Sequence, residues 1–280
     1  MHIPISEINR IRRSEIITVL EMMKKLLIII ILGIFVAGCG KKNVKLEEDL
    51  TPRFDKAMEY FERDKFLRAK DEFDYIIMAD PGSKIANESQ YYKAESMFQM
   101  EEYDDASISF DRYVRFSPDY NKIEKARYRI CECAIFSSNS YQREQSQTQY
   151  ALEQLQMFIE DFSKSELVRD AESAILDLRL KLARKDYEVG RMYLKLEEYE
   201  SALVYFKSVL NHYYDTAIAD DARIGIVFTH ILNDNRRGAE SYYKTQKDKF
   251  LSGEKSNEAE ILLQDTETGL KLAQYYQLYK

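Results

Sequence analysis

The residue with the clearest covalent chemistry is Cys39, which ends the segment Val36-Ala37-Gly38-Cys39. Small residues directly before a cysteine match the bacterial lipobox, in which a peptidase cleaves before a cysteine that already carries diacylglycerol on its sulfur. A pair of lysines followed by an apolar run over residues 26–37 has the order of a secretory signal. The run is shorter than the roughly 20 residues that span a bilayer. The pattern predicts a signal peptide over residues 1–38 and a lipidated Cys39.

A lipid anchor at Cys39 would set the compartment of the protein. Two or more acyl chains, such as palmitate beside diacylglycerol, hold a protein on a membrane stably. Gly40 follows the cysteine, where an aspartate would resemble an inner-membrane retention signal, so we expect an outer-membrane protein that faces the periplasm. The alternative is an ordinary secretory signal with a chance cysteine. Methionines stand beside the two lysines, so we expect that the start is over-extended and that residues 1–21 have no structural role.

The remaining residues that could support catalysis or bind a metal form no such pattern. Cys131 and Cys133 lie two apart in a helical stretch, so their side chains diverge and should be small core residues rather than a disulfide. The three histidines are not near a cysteine in sequence, and there is no metal-type spacing. No serine elbow or glycine-rich phosphate loop occurs. We therefore predict no catalytic residue, no metal site and no cofactor.

Charge and composition restrict the partners and the fold. The net charge is −7, and it becomes −9 without residues 1–38, which hold five basic and three acidic residues. An acidic chain without a basic stripe is a poor partner for nucleic acid. Hydrophobic residues make up 45% and charged residues 32%, while Gly and Pro together number only 13. This composition favours a helical protein.

The chain after residue 50 repeats itself with a period of 37 residues. Small and large residues recur at this offset, which is the mark of a repeat architecture. The matching sets are Ala69, Phe73, Ile76 and Pro81 with Ala106, Phe110, Tyr113 and Pro118; Ala57 and Tyr60 with Ala94 and Met97; and Ala202, Phe206 and Val209 with Ala239, Tyr243 and Gln246. Ala151, Leu155 and Phe158 form a further set after a longer connection over residues 137–147. Five units result.

The spacing within a unit has a physical reason. A small residue on a first helix, and another twelve residues later on a second helix, let the two helices cross closely. Large residues four and seven positions after the second small residue then fill the interface on one helical face. Pro81 and Pro118 should end the second helix of their units. Thr51 and Pro52 should open the first unit, as the N-cap and the first helical residue.

This pattern resembles the tetratricopeptide repeat, which has small residues at its eighth and twentieth positions and proline at the thirty-second. The resemblance implies an all-α solenoid of about five helical hairpins plus a C-terminal helix, which we expect over Glu258 to Tyr279. We assign a lipidated linker to residues 39–50. Repeats one to three then occupy residues 51–164, and repeats four and five with the terminal helix occupy residues 165–280.

The first helix of each unit suggests a binding groove. Residues three before and four after the small residue lie on nearly one line beside the core face. Extended peptides gain specificity from pockets for alternate side chains, so such a line could bind a peptide with aromatic residues. The alternative is that this stripe only packs adjacent repeats. The candidate residues, which we call the helix-A stripe, are Phe54, Phe61, Tyr91, Glu95, Phe98, Tyr128, Glu132 and Ile135.

Two stretches carry a sharper resemblance. Residues 110–118, FDRYVRFSP, resemble the aromatic-rich segment that closes the second repeat of the BamD family. Residues 186–193, DYEVGRMY, with Tyr199 and Ala202 after them, resemble the opening of its fourth repeat. With the lipobox and five repeats, the resemblance covers roughly residues 39–250. Two features depart from the family. The connection between the helices of repeat three is compact compared with that of the family, and residues 252–280 are an addition.

The BamD resemblance implies a scaffold for folding and inserting outer-membrane β-barrel proteins. Its implied partners are unfolded outer-membrane proteins, which the N-terminal repeats recognise, and the barrel-forming assembly subunit, on which the C-terminal repeats dock. The lipid anchor implies attachment to the membrane. A tetratricopeptide lipoprotein that coordinates cell-envelope or peptidoglycan synthesis stays open as an alternative, because such arrays serve many functions.

Overall fold

The computed structural model describes residues 49–264, and Leu50 opens a compact unit that contains all of its helices. No β-strand occurs among these residues. None of the helices between residues 49 and 264 has the length and apolar composition needed to cross a membrane. The α-helices are α1 (Thr51–Glu62), α2 (Phe66–Ala79), α3 (Lys84–Gln99), α4 (Tyr103–Phe116), α5 (Tyr120–Phe136), α6 (Ser146–Asp161), α7 (Val168–Lys195), α8 (Tyr199–His212), α9 (Ile218–Leu232), α10 (Arg236–Gln246) and α11 (Gly253–Gln264).

The first ten helices form five hairpins, α1/α2 to α9/α10, in which each helix packs against its neighbours in chain order. A short 3₁₀ turn over Lys247–Lys249 follows α10, and α11 then packs against α9 and α10. Stacked hairpins of this kind bury a continuous core that no single hairpin could bury alone. The prediction of an all-α tetratricopeptide solenoid with five hairpins and a terminal helix is confirmed.

The small and large residues of the 37-residue period form the core. In the first four hairpins the small residues on both helices are buried, and so are the large residues that follow on the second helix. In the fifth hairpin Ala239 and Tyr243 are buried, but Gln246 is only half-buried. Small side chains at the crossing let the backbones approach, and the large ones fill the space that remains. The buried set comprises Ala57, Ala69, Phe73, Ile76, Ala94, Ala106, Phe110, Tyr113, Cys131, Ala151, Leu155, Phe158, Gly190, Ala202, Phe206, Val209, Ala239 and Tyr243.

The two helices of four hairpins are joined by the same three-residue turn. In each turn the middle residue has a positive φ between 52° and 62°, and all four of these residues are acidic: Asp64, Glu101, Glu197 and Asp234. In the fourth hairpin the Glu198 N–H donates to the Tyr193 carbonyl at 3.0 Å and the Glu197 N–H to the Leu194 carbonyl at 3.2 Å. These two bonds define the Schellman motif, which usually has glycine at the left-handed position. The turns therefore carry backbone strain.

Replacing Glu197 by glycine is expected to stabilise the fold. The left-handed conformation costs about 1–2 kcal/mol for a residue with a Cβ, and the entropy that glycine loses on folding offsets about half of that gain. A net rise of up to about 1 kcal/mol in the free energy of unfolding should appear in urea titrations. Glu198→Gly is the matched control, because Glu198 has φ −86°, and it should destabilise. A loss of stability in Glu197→Gly would contradict this reading of the turn.

Prolines lie at the boundaries of the hairpins. α2 ends at Ala79 and α4 at Phe116, each two residues before a proline, as predicted. The prediction for the first helix was wrong by one residue, because Leu50 is the N-cap and Thr51 is already helical. The reason is the first backbone bond, in which the Phe54 N–H donates to the Leu50 carbonyl at 3.0 Å.

The third hairpin has a longer connection, as the sequence indicates, but it covers residues 137–145 and ends two residues earlier than predicted. Buried Gln145 organises this loop, because its amide donates to the carbonyls of Ser140 and Arg143 at 2.8 and 2.9 Å. Lys185 on α7 also donates to the Arg143 carbonyl, at 2.8 Å. The loop is therefore fixed against α7.

The 28-residue helix α7 connects the cores of the third and fourth hairpins. Its first half buries Ala171 and Leu178 in the core that includes Phe158. Its second half buries Tyr187 and Leu194 in the core that includes Phe206. The predicted division between residues 164 and 165 falls in the connection before α7, and a domain boundary there stays a prediction.

The terminal helix α11 begins at Gly253, so the predicted start at Glu258 was wrong. The start is displaced because Ser252 and the segment before it are held on α9, and the helix can form directly after them. Residues 265–280, where the prediction continued, lie outside the described residues. α11 buries Ala259, Leu262 and Leu263 against α9 and α10. It thus covers the apolar face of the last hairpin.

Candidate functional site

The helix-A stripe lies on α1, α3 and α5, the first helices of the first three hairpins. Its six large hydrophobic members are half-buried, Glu95 is only 6% exposed, and Glu132 is half-buried. Cys39, the predicted lipidation site, lies outside the described residues. The side chains of the stripe fall into three different cores.

In the first hairpin, the stripe packs onto the next repeat. Phe54 lies 5.7 Å from Phe73 on α2, and its ring also meets Tyr92 of α3, with 6.1 Å between ring centroids. Phe61 contacts the same Tyr92 at 5.6 Å, edge to face. Tyr92, a residue of the second hairpin, therefore covers the core of the first hairpin. Both stripe residues contribute to stacking of the repeats.

In the second hairpin, Tyr91 packs onto α4. Its ring centroid is 5.8 Å from that of Phe110 and 5.3 Å from that of Tyr113. Burial raises the pKa of the Tyr91 hydroxyl above its ordinary value, and the neighbouring carboxylate of Glu95 raises it further. The hydroxyl therefore stays protonated and can serve as a hydrogen-bond donor.

Phe98 is enclosed on several sides. Its ring contacts Tyr103 at 5.5 Å and Phe136 of α5 at 5.8 Å. The guanidinium of Arg129 lies over the ring with its Cζ 4.6 Å from the centroid, which is a cation–π contact. These contacts leave Phe98 half-buried.

Arg129 is the residue of this site that sequence reasoning missed. Its Nε donates to Glu95 at 3.0 Å and its Nη1 to Glu132 at 2.8 Å, so one guanidinium bridges both carboxylates of the stripe. Glu132 is three residues from Arg129 on the same helix, a spacing that favours a pair and could have been found in the sequence. Glu95 lies on another hairpin, 34 residues away, and only the tertiary structure reveals that contact.

A second ion pair repeats the same offset. Lys122 on α5 binds Glu88 on α3, again 34 residues apart, and these two residues precede Arg129 and Glu95 by seven positions. Seven residues are about two helical turns, so both pairs lie on the same faces of α3 and α5. Together they fix the register between the second and third hairpins.

In the third hairpin, the stripe packs onto α6. Tyr128 lies 5.3 Å from Phe158, and Ile135 packs against the same core. Burial raises the pKa of Tyr128 to about 12, with the Glu132 carboxylate as a further cause.

Phe54, Phe61 and Phe98 contact the next hairpin, as the packing alternative predicts. The rings of Tyr91 and Tyr128 pack within their own hairpins. Peptide binding by the stripe stays a prediction.

Cys131 and Cys133 are buried free cysteines on separate sides of α5. Burial raises the pKa of each thiol to about 12. The Cys131 thiol donates to the Gln154 carbonyl of α6 at 3.3 Å. Both act as small core residues. Within residues 49–264, no group of His, Cys, Asp and Glu side chains has an arrangement that could hold a metal ion.

Comparisons with known proteins identify relatives of this chain. Outer membrane protein assembly factor BamD of Rickettsia prowazekii is 20% identical over 76% of this chain and 86% of its own length. The proteins of the same name from Xylella fastidiosa (strain 9a5c) and Caulobacter vibrioides are 23% and 24% identical, over 81% and 77% of this chain and 83% and 74% of their own lengths.

Solved structures of repeat proteins overlap the chain only loosely. MamA from Desulfovibrio magneticus RS-1 has a TM-score of 0.33 at 13% identity, over 71% of this chain and 93% of that one. YrrB, a tetratricopeptide protein, has a TM-score of 0.32 at 16% identity, over 77% and 93%. The family described as YfiO, outer membrane lipoprotein, matches residues 47–262, which include all five hairpins and nearly all of α11. The chain therefore belongs to the YfiO family of outer membrane lipoproteins.

Proposed function

We propose that this protein is an assembly factor for outer-membrane β-barrel proteins and acts as a scaffold rather than an enzyme. A lipid on Cys39 holds it on the outer membrane, with the repeats in the periplasm. The first three repeats bind unfolded barrel proteins, and the last two dock on the barrel-forming assembly subunit. The observation that carries this proposal is the family match over residues 47–262, together with relatives named as BamD assembly factors.

The helix-A stripe supports the substrate-binding part of the proposal. Half-buried rings present apolar edges at the regular spacing of stacked repeats, and an extended peptide places alternate side chains on one side. The bridge from Arg129 to Glu95 and Glu132 adds a charged group between Tyr91, Phe98 and Tyr128. Such a surface suits a segment in which aromatic residues alternate with polar ones.

The test is binding of a short synthetic peptide with alternating aromatic residues and an aromatic end. We expect Tyr91→Leu/Phe98→Leu to weaken binding about tenfold, because anchor residues of an interface contribute at this scale. Leucine retains apolar volume, so the core should stay folded. Tyr193→Leu is the matched control, since Tyr193 is a half-buried aromatic residue of α7 that stacks on Tyr205 at 5.4 Å. Unchanged affinity in a folded double variant would refute the groove.

The docking part of the proposal has its own test. Affinity capture of the full-length protein from detergent-solubilised envelopes should retain the barrel-forming assembly subunit. Capture of cell-wall synthases without that subunit would favour the alternative scaffold role instead. A Cys39→Ser variant should lose lipidation, observed as a mass difference, and should leave the outer-membrane fraction.

A further inference from the structure

A cavity of about 530 Å³ opens among α8, α9, α10 and the segment that leads into α11. Its walls include apolar side chains, among them Leu210, Tyr214 and Leu251, and three cationic ones. The cations are Lys207 from α8, Arg223 from α9 and Lys249 from the 3₁₀ turn. None of the described residues that line this cavity is acidic.

Among the described residues, only one of the three cations of the cavity forms an ion pair with a carboxylate. Buried Asp220 neutralises Arg223, since the Arg223 Nη1 donates to its Oδ1 at 2.8 Å. The same carboxylate accepts from the N–H groups of Leu251 and Ser252 at 3.0 and 2.8 Å. The Asp220 carboxylate thus accepts hydrogen bonds from three donors, and two of them belong to the segment before α11. The two lysines are left as an excess of positive charge at the cavity.

Two donors at the cavity have no protein partner among the described residues. They are the Nε–H of Arg223, whose side chain is only 6% exposed, and the hydroxyl of Tyr242. A buried donor without a partner costs about 1–3 kcal/mol, so native structures rarely leave one. Burial also raises the pKa of Tyr242, which keeps its hydroxyl protonated. Both residues line the cavity, although the two donor atoms are themselves covered by protein, so a bound acceptor reaches them only if these side chains shift.

We propose that this cavity binds a carboxylate that is attached to an apolar body, such as an acidic peptide segment with an adjacent aliphatic residue. The two lysines recognise the carboxylate, and the apolar wall accepts the neighbouring hydrocarbon. A fully hydrated anion such as phosphate would gain from the lysines but not from the wall. This inference is independent of the helix-A stripe, which lies on the first three hairpins.

The probe is N-acetylleucine, titrated calorimetrically into the full chain in detergent at constant ionic strength. We expect saturable binding that Lys207→Met or Lys249→Met weakens about tenfold, as removal of a charged hydrogen-bond donor does. Lys244→Met is the matched control, because Lys244 is an exposed lysine of α10 that does not line the cavity. All four proteins should share one melting temperature, since the three lysines are exposed.

Two further ligands test whether the site prefers a terminal or a side-chain carboxylate, and whether it requires the negative charge. Acetyl-leucyl-glutamate amide carries the charge on a side chain, and tighter binding than N-acetylleucine would assign the site to an internal acidic residue. N-acetylleucinamide, which is neutral, should bind more weakly than both acids. Equal affinity for acid and amide would overturn the proposal. So would tighter binding of inorganic phosphate than of N-acetylleucine, or an equal loss of binding in the Lys244 variant.

Discussion

Replacing Asp220 by alanine is expected to lower the free energy of unfolding of the C-terminal repeats by about 3–5 kcal/mol, the usual cost of leaving one charge of a buried pair without its partner. Asp220 is 3% exposed and Arg223 is 5% exposed. Alanine would leave the guanidinium buried without its counter-charge. It would also remove the acceptor for the N–H groups of Leu251 and Ser252.

The effect should be strongest at α11. Asp220 holds the segment directly before this helix. Its loss should therefore increase the hydrogen-exchange rate of the α11 amides more than that of the α1 to α4 amides. Repeat proteins allow such local opening, because each repeat contacts only its neighbours. Urea unfolding together with hydrogen exchange read by residue would measure both effects.

Asp221→Ala is the matched control for this prediction. Asp221 is the next residue of α9 and binds Lys255 at 2.9 Å, but both side chains are partly exposed. An exposed ion pair contributes only about 0–1 kcal/mol. Equal losses in the two variants would show that the position in α9, and not the buried carboxylate, determines the result.

Replacing Phe206 by alanine is expected to cost about 3–5 kcal/mol, the range for removal of a buried phenylalanine. The ring is fully buried in the core that joins α7, α8 and α9. It lies between two glycines, one on each neighbouring first helix. A Cβ at Gly190 would lie 2.8 Å from the ring, and a Cβ at Gly225 would lie 2.9 Å from it. The two glycines therefore make the space that the ring fills.

Coupling between these positions provides the sharper test. Gly190→Ala alone should destabilise by about 1–3 kcal/mol through overpacking, although alanine is about 1 kcal/mol better than glycine within a helix. In the Phe206→Ala background, the same change should be neutral or stabilising, because the ring that it would contact is absent. Urea titrations of the four proteins complete the double-mutant cycle. Additive losses of stability would show that contact with the Phe206 ring is not the reason why position 190 requires glycine.

Much of the fold follows from local sequence patterns. The 37-residue period placed Ala57 and Ala94 at helix crossings, and the structure buries both. α2 and α4 end before a proline as predicted, because a proline lacks the backbone N–H donor in any tertiary environment. Glu101 and Glu197 are acidic residues in the turns between helices. Their positive φ could not be read from composition, since glycine is the usual residue at that position.

The sequence indicated which residues form the helix-A stripe, but it did not indicate Arg129 or the contacts between hairpins. Helical spacing brought Tyr91, Glu95 and Phe98 together, since residues three and four apart share a face. Arg129 joins them from another hairpin, and its position over Phe98 depends on how the second hairpin stacks on the third. No periodicity within one helix contains that information.

By itself the sequence determined the repeat architecture and the identity of most core residues, because each depends on spacing within one or two helices. The anchor at Cys39 stays a prediction. Only the tertiary structure decided which aromatic rings are covered, that Asp220 fixes the segment before α11, and that Lys207, Arg223 and Lys249 surround one cavity. These contacts join residues from separate helices, and the packing of side chains in three dimensions sets the distances between them.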